Sequence, residues 1–268
     1  MREGIKTEET IKLNNANLII GLNGWGNAGE VSTFSVKYLA DKLQAKTFGE
    51  IPPEPFHNYL IQRPMVSIEE GVIKAYIPPR NDLYYVRKKK INTNLVLLLG
   101  YEPHINWPKF VEAVLTVAEE TGVQRIYTLG GYLADIPPET ETPVSASTNN
   151  RKLISELKKA RVELTSYHGP TSVYSALLWK AKEKKIDVIS LWCAVPLYHN
   201  TRYPKAAYTI LEKITQLTGL KLDLNDLKEK SDSFKATFEK EDMNQPQLRS
   251  LMENLRSGRP SKDPSYID

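Results

Sequence analysis

An α/β protein with a mostly parallel central sheet covered by helices, an antiparallel insertion and a C-terminal helical extension is the fold class this sequence predicts, and three observations predict it. Four apolar runs, Leu18–Leu22, Asn94–Gly100, Gln124–Leu129 and Asp187–Val195, have the character of strands buried on both faces. Helical patterns alternate with these runs along the chain. Residues 56–88 break the alternation, because short β-rich pieces separated by a glycine turn at Gly71 and by Pro78-Pro79 read as an antiparallel insertion.

The 268 residues suffice for one main domain with a small appendage, and 41% hydrophobic against 25% charged residues are ordinary globular proportions. A formal charge of +4, with acids and bases interspersed, argues against a nucleic-acid or membrane surface. The basic run Arg87–Lys90 reads as a solvated edge or loop. The single Cys193 can form no internal disulfide and lies in the apolar LWCAVP, which fits a small core residue of a cytoplasmic protein. Met1–Glu9 carries mixed charges with no apolar stretch after it long enough for a signal segment, and even Leu95–Leu99 is far too short to span a bilayer.

In chain order, Leu18–Leu22 is the first core strand and GWGNAG (24–29) the turn after it. Asn27 offers a cap to the first-turn N–H groups of a helix while Glu30, three residues on, reaches back as in a capping box; Val31, Phe34, Tyr38 and Leu39 then form an apolar stripe. Ile51–Pro55 (IPPEP) is a rigid breaker before the insertion. The second core strand ends in Tyr101-Glu102-Pro103, and Asn106-Trp107-Pro108 opens a helix that Gly122 closes. The third ends in Gly130-Gly131, and Ile136–Val144 is a proline-rich loop. A helix over Asn150–Ala160, a short strand near Val162, a turn at Tyr167–Pro170 and a helix over Ser172–Lys184 lead to the fourth strand, which Pro196 breaks. Pro204–Gly219 is a further helix with Ala207, Ile210, Leu211, Ile214 and Leu217 inward. Beyond Leu222 sparse apolar positions in a charged background, Leu227, Phe234, Phe238, Leu248, Leu251 and Leu255, suit one or two surface helices on the body or on a partner, interrupted near Pro246. The expected organisation is a body over residues 1–221, a helical extension over 222–256 and a disordered tail over 257–268.

Gly24, Gly26 and Gly29 fill the GxGxxG pattern of a dinucleotide loop between a strand and a helix. A dinucleotide site also needs a second buried strand ending in an acid roughly 20 residues on, and between Leu43 and Phe56 no such strand is visible. Glu30 in the first turn would compete with phosphate for the positive helix end. The turn is therefore expected to be structural or ligand-lining, and no cofactor is expected.

Other chemistry is sparse. His57, His104, His168 and His199 show no spacing of metal ligands and have no cysteine partners, so isolated loop histidines and no metal are expected. No GxSxG elbow surrounds a serine, and Ser172 in GPTSVY reads as a helix start. Glu102 and Asp135 each follow the carboxyl end of a core strand, where open α/β sheets keep their sites, and are the candidate acid/base groups. Gly24, Trp25, Asn27, Gly29, Arg63, Gly130 and Gly131 are the candidate lining of one crevice. The competing reading has the two acids capping helices or pairing with arginines.

Taken in order, GWGNAG with its helix, EPFHNYLIQRP, GYEP with a downstream W-x-x-F, GGYLADIPP, YHGPTSVYSALL and SLWCAVPLY resemble the proteasome assembly chaperone 2 family over roughly Leu18–Leu227. The resemblance implies a phosphorylase/hydrolase-like three-layer α/β/α sandwich with a C-terminal helical extension, and a homo-oligomer. It implies protein partners in the manner of relatives that assemble proteasome rings. The chain departs from the family in two places. Its end, Ser265-Tyr266-Ile267-Asp268, lacks the hydrophobic-tyrosine-any signature of some archaeal relatives, and Ile136–Pro143 is acidic where many prokaryotic relatives carry a histidine and an arginine. The function expected is that of a non-catalytic homo-oligomeric interaction or assembly factor in the cytoplasm, with a protein partner and without nucleic-acid or membrane binding. The alternative is a phosphorylase/hydrolase-like enzyme, or a small-molecule sensor, using the crevice at the strand ends.

Overall fold

Four strands of unbroken apolar character stand side by side at the centre of the protein: β2 (Ala16–Asn23), β7 (Asn94–Tyr101), β8 (Val123–Ala134) and β11 (Asp187–Pro196). A computed structural model describes residues 5–7, 9–87, 93–136, 140–197 and 201–242, without the side chains of 234–242. The lysines of 88–90, His199, Pro246, Leu248, Leu251, Leu255 and the tail 257–268 lie outside the described residues, as do the side chains of Phe234 and Phe238. β2 pairs in parallel with β7 and β8, and β8 with β11, so all four carboxyl ends meet at one rim. Antiparallel strands extend both flanks. β1 (Lys6–Thr7), β3 (Lys46–Ile51) and β6 (Asn81–Val86) continue the sheet beyond β7, and β9 (Val144–Thr148) with β10 (Glu163–Leu164) continue it beyond β11. The insertion contributes β6 to this sheet and a separate hairpin, β4 (Met65–Glu69) and β5 (Val72–Ile77), turned at Glu70-Gly71.

Helices cover both faces because inward side chains alternate along each central strand and none of the faces is polar. One core joins Ile19, Leu97, Leu129 and Leu191 to α1 (Val31–Leu43) and α5 (Pro204–Thr218); the other joins Leu18, Ile20, Val96 and Ile126 to α2 (Trp107–Thr121) and α4 (Val173–Ala181). A wholly buried Leu or Ile of this kind contributes about 1.5–3 kcal/mol. α2 and α5 both end at glycines in the left-handed conformation, Gly122 and Gly219, as their positions suggested. Asn150 caps the short helical stretch that ends in α3 (Ile154–Lys159), its Oδ1 accepting from Lys152 N–H. α6 (Asn225–Asp242) returns to its own body. Leu227 is fully buried in the α1–α5 core, and Asp226 accepts from Tyr38 Oη at 2.7 Å and pairs with Lys42 at 2.8 Å.

Three details differ from the sequence reading. A strand does run between Leu43 and Phe56, β3, but it pairs antiparallel with β6 at the flank and not with β2, so it completes no nucleotide-binding unit. β8 runs on through Gly130-Gly131 instead of ending there. The segment after the proline-rich loop, VSAST, is a strand, β9, whose small polar residues carry little strand signal.

Candidate functional site

The loop from β2 to α1 forms the middle of the rim. Its chain turns at Gly24, pairs Gly26 C=O with Gly131 N–H at 2.8 Å, and forms a bridge between Asn27 and Gly131. It then makes a 3-10 turn, Ala28–Glu30, in which Gly29 and Glu30 both have positive φ, +57° and +54°. That extra turn moves the start of α1 to Val31. Asn27 still caps the helix, but its Oδ1 accepts from Thr33 N–H at 3.1 Å, six residues on, while Nδ2 donates to Asn23 Oδ1 at 3.0 Å. Glu30 does not reach back as a capping-box partner, because the left-handed turn directs it outward to Arg202 at 2.7 Å.

Glu102 joins this loop to the opposite helix. Its Oε2 accepts from Trp25 N–H at 2.9 Å and its Oε1 from Val173 N–H, the first residue of α4, at 2.8 Å; its own N–H donates to Asn23 C=O at 2.7 Å. Ser172 is a helix start, its Oγ accepting from Tyr174 N–H. Beneath them Leu22 N–H is shared between Ser32 Oγ and Tyr174 Oη, each at 2.9 Å, and those two hydroxyls lie 3.1 Å apart. Burial pushes the Tyr174 phenol well above its ordinary range, so it stays a neutral hydroxyl within this closed triangle.

The glycines that suggested a nucleotide loop face protein atoms. A Cβ on Gly24 would lie 2.6 Å from Glu102 Cβ, one on Gly26 2.8 Å from Trp192 Cη2, and one on Gly29 2.9 Å from Tyr203 Cβ. Gly130 fits the same indole, at 2.6 Å from Trp192 Cε3. Trp192 thus fills the space between loop and sheet, with Trp25 and Tyr174 edge-on to it at 6.2 and 6.1 Å. The glycine spacing is explained by close packing against side chains.

The structure therefore brings together Gly24, Trp25, Asn27, Gly29, Gly130, Gly131 and Glu102. Asp135 is exposed beyond the end of β8, four residues past Gly131, and is not hydrogen-bonded to Glu102. Arg63 is exposed on the loop before β4, beside Tyr59, Pro64 and Tyr76, apart from the rim loop. Trp192, Tyr174 and Ser32 were missed by sequence reasoning. A glycine pair in register with a tryptophan (Gly130 opposite Trp192) is a signal that could have found the first of them, since glycine inside a strand marks a close neighbour.

An open cleft of about 460 Å³ lies on the α1 side of the rim, lined by Asn23, Asn27, Thr33, Phe34, Tyr101 and Arg80 among others. Its cations are engaged: Arg80 with Asp82 at 2.8 Å, Arg202 with Glu30, and Lys37 with Asp41 at 3.7 Å. A larger groove, about 1180 Å³, runs between β9, α3, α5 and α6; its five basic and five acidic residues balance, so it favours neither sign of ligand. His57 and His104, far apart in sequence, meet with ring centroids 5.3 Å apart. Burial and His104 lower His57 to about 4, and His57 Nδ1 is buried without a hydrogen-bond partner. Among the described residues no three His, Cys, Asp or Glu side chains form a metal-binding group. No helix among them is long and apolar enough to cross a membrane.

Fold and rim together define a three-layer α/β/α protein whose strand-end loop is packed shut by its own aromatic and acidic side chains. The family model of the PAC2 family matches residues 21–241, and the chain belongs to that family. It is similar to a crystal structure of a PAC2 family protein from Streptomyces avermitilis, with a TM-score of 0.77 at 27% identity over 84% of this chain and 95% of that one. A proteasome-assembly chaperone homologue of Mycobacterium tuberculosis shares the fold with a TM-score of 0.80 at 24% identity, over 88% of this chain and 99% of that one. An uncharacterised protein of Methanocaldococcus jannaschii is 24% identical over 98% of this chain and 94% of its own length.

Proposed function

We propose that this chain is a non-catalytic, homo-oligomeric interaction or assembly factor of the cytoplasm, with residues 1–221 as its body and 222–256 as an extension. The observation that carries the reading is the use of Glu102. The best-placed acid at the strand ends has both carboxylate oxygens held by main-chain N–H groups, which ties the β2–α1 loop to the start of α4. A general acid or base must instead reach the reacting proton. Family membership supports a role in protein contact, and the similarity to a proteasome-assembly chaperone homologue makes the 20S particle the first partner to test.

Native gels of the purified chain with 20S subunits from the same organism, alongside turnover assays with phosphorylase and hydrolase substrates, test the reading. A shifted complex without turnover supports it. Turnover that Glu102→Gln abolishes in a folded variant overturns it. The sensor reading draws on the cleft beside Asn23 and Asn27; a dose-dependent rise in melting temperature with a nucleotide or small carboxylate would favour it.

A further inference from the structure

The β4–β5 hairpin pairs with no other described strand, and its register divides its side chains between two unlike faces. Val66 opposes Tyr76 and, beyond a bulge at Lys74, Ile68 opposes Ile73, so alternation along the strands puts these four on one face. All four are more than half exposed and none is charged. Met65, Ser67 and Glu69 take the opposite face of β4. An isolated two-stranded hairpin is marginal in water, and a contiguous exposed apolar face marks an interaction site.

The chain leading into the hairpin gives that face a socket. Tyr59, Leu60, Arg63 and Pro64 stand with Val66 and Tyr76 around an open hollow of about 520 Å³, a volume within the range of ligand sites. Its wall is apolar and aromatic with Arg63 as the cation, and none of its lining residues is an acid. Among the described residues Arg63 has no ion-pair partner, whereas Arg80, Arg125 and Arg202 each meet a carboxylate. Covering this surface buries a cation whose counter-charge is missing, which is costly, so the occupant has to bring the acid. A second copy of the same face, applied about a two-fold axis, brings none, because Glu69 lies on the far face of β4. Anionic lipid is repelled by Glu69 and Glu70 at the tip, where membrane-surface segments favour Lys and Arg.

We infer that this face and its hollow dock a segment of another protein in which large apolar side chains flank an aspartate or glutamate. The apolar groups cover Val66, Ile68, Ile73 and Tyr76, and the carboxylate pairs with Arg63. β4 is five residues long, about 17 Å, so a segment of comparable extended length spans the face. The inference rests on the reading of the chain as a protein-contact factor and names the partner chemistry of one contact. Selection of a phage-displayed random dodecapeptide library against the immobilised full chain tests it. Enriched peptides are expected to carry Asp or Glu beside two or more large apolar residues, and Ile68→Asn, Ile73→Asn is expected to abolish the enrichment. Fluorescence polarisation with the most enriched peptide, made synthetically, is expected to show binding weakened about tenfold or more by Arg63→Glu. Selection against that charge-reversed variant should enrich Lys or Arg in place of the acid, an exchange that misfolding does not produce. No enrichment, enriched peptides without an acid, or an acid preference unchanged by Arg63→Glu would each overturn the inference. So would a dimer in sedimentation, or flotation with phosphatidylcholine/phosphatidylglycerol vesicles, that the double asparagine variant abolishes. Failed peptide selection by a chain that still shifts the 20S particle sinks this docking face and leaves the proposed function standing, whereas acid-selected peptides on a chain with Glu102-dependent turnover do the reverse.

Discussion

Replacing Glu102 by glutamine separates a structural carboxylate from a catalytic one. In the native rim the two oxygens accept from Trp25 N–H and Val173 N–H, charge-assisted hydrogen bonds of the kind that contribute about 1.5–3 kcal/mol each. Glutamine keeps one acceptor and turns an NH2 group towards the other N–H, so one bond is lost and a donor faces a donor. The Trp25 end is solvent-exposed and water takes up part of that loss. The net destabilisation is then about 2 kcal/mol, and for a chain of this size roughly 2–4 °C per kcal/mol gives a fall of about 4–8 °C in melting temperature. Differential scanning calorimetry at neutral pH measures it. A Glu102→Gln protein melting within one degree of wild type would refute the structural account and return Glu102 to the list of catalytic candidates.

Gly130→Ala places a methyl group against the Trp192 indole and is expected to cost about 1–3 kcal/mol by urea denaturation; Trp192→Leu, which empties that space, should recover part of the loss in the double variant. His57 is held near 4 in the fold against about 6.5 in the unfolded chain, so below neutrality the unfolded state binds the proton first. Stability is therefore expected to fall as pH drops from about 6.5 to 4, by about 1–2 kcal/mol after allowance for solvent at this half-buried ring, and His57→Asn should flatten that part of the profile measured by denaturant titration.

The central sheet was legible because β2, β7, β8 and β11 are buried on both faces and their apolar runs leave no alternation to misread. β9 and β10 were not, or only in part. VSAST is held by its pairing with β11, a long-range contact that local propensity does not encode. The cap at Asn27 was read correctly as to residue and wrongly as to register, because spacing rules assume that the helix follows its cap directly, whereas Gly29 and Glu30 insert a left-handed step. Glu102 was singled out for lying at a strand end, but what it does depends on Val173, 71 positions away. The same holds for the histidines, whose sequence separation concealed the His57–His104 contact. The insertion was read as β-rich and antiparallel; the exposure of its β4–β5 hairpin followed from neither pattern nor composition, since apolar residues at these positions fit a covered sheet equally well.

The insertion that carries the β4–β5 hairpin leaves the main sheet at Ile51 and rejoins it at Asn81, two residues that face each other across β3 and β6. Near its root Phe56 is pinned in the core against Phe110. The closure entropy of such a loop grows only with the logarithm of its length, about 0.6 kcal/mol for each doubling. The exposed β4–β5 hairpin can therefore lengthen, shorten or change composition at little thermodynamic consequence to the sheet. Mutation has free play at the outer hairpin, while the glycines packed against Trp192 and Glu102 admit almost none. One scaffold can thus vary the hairpin it carries at this single splice point and still fold by the same central strands.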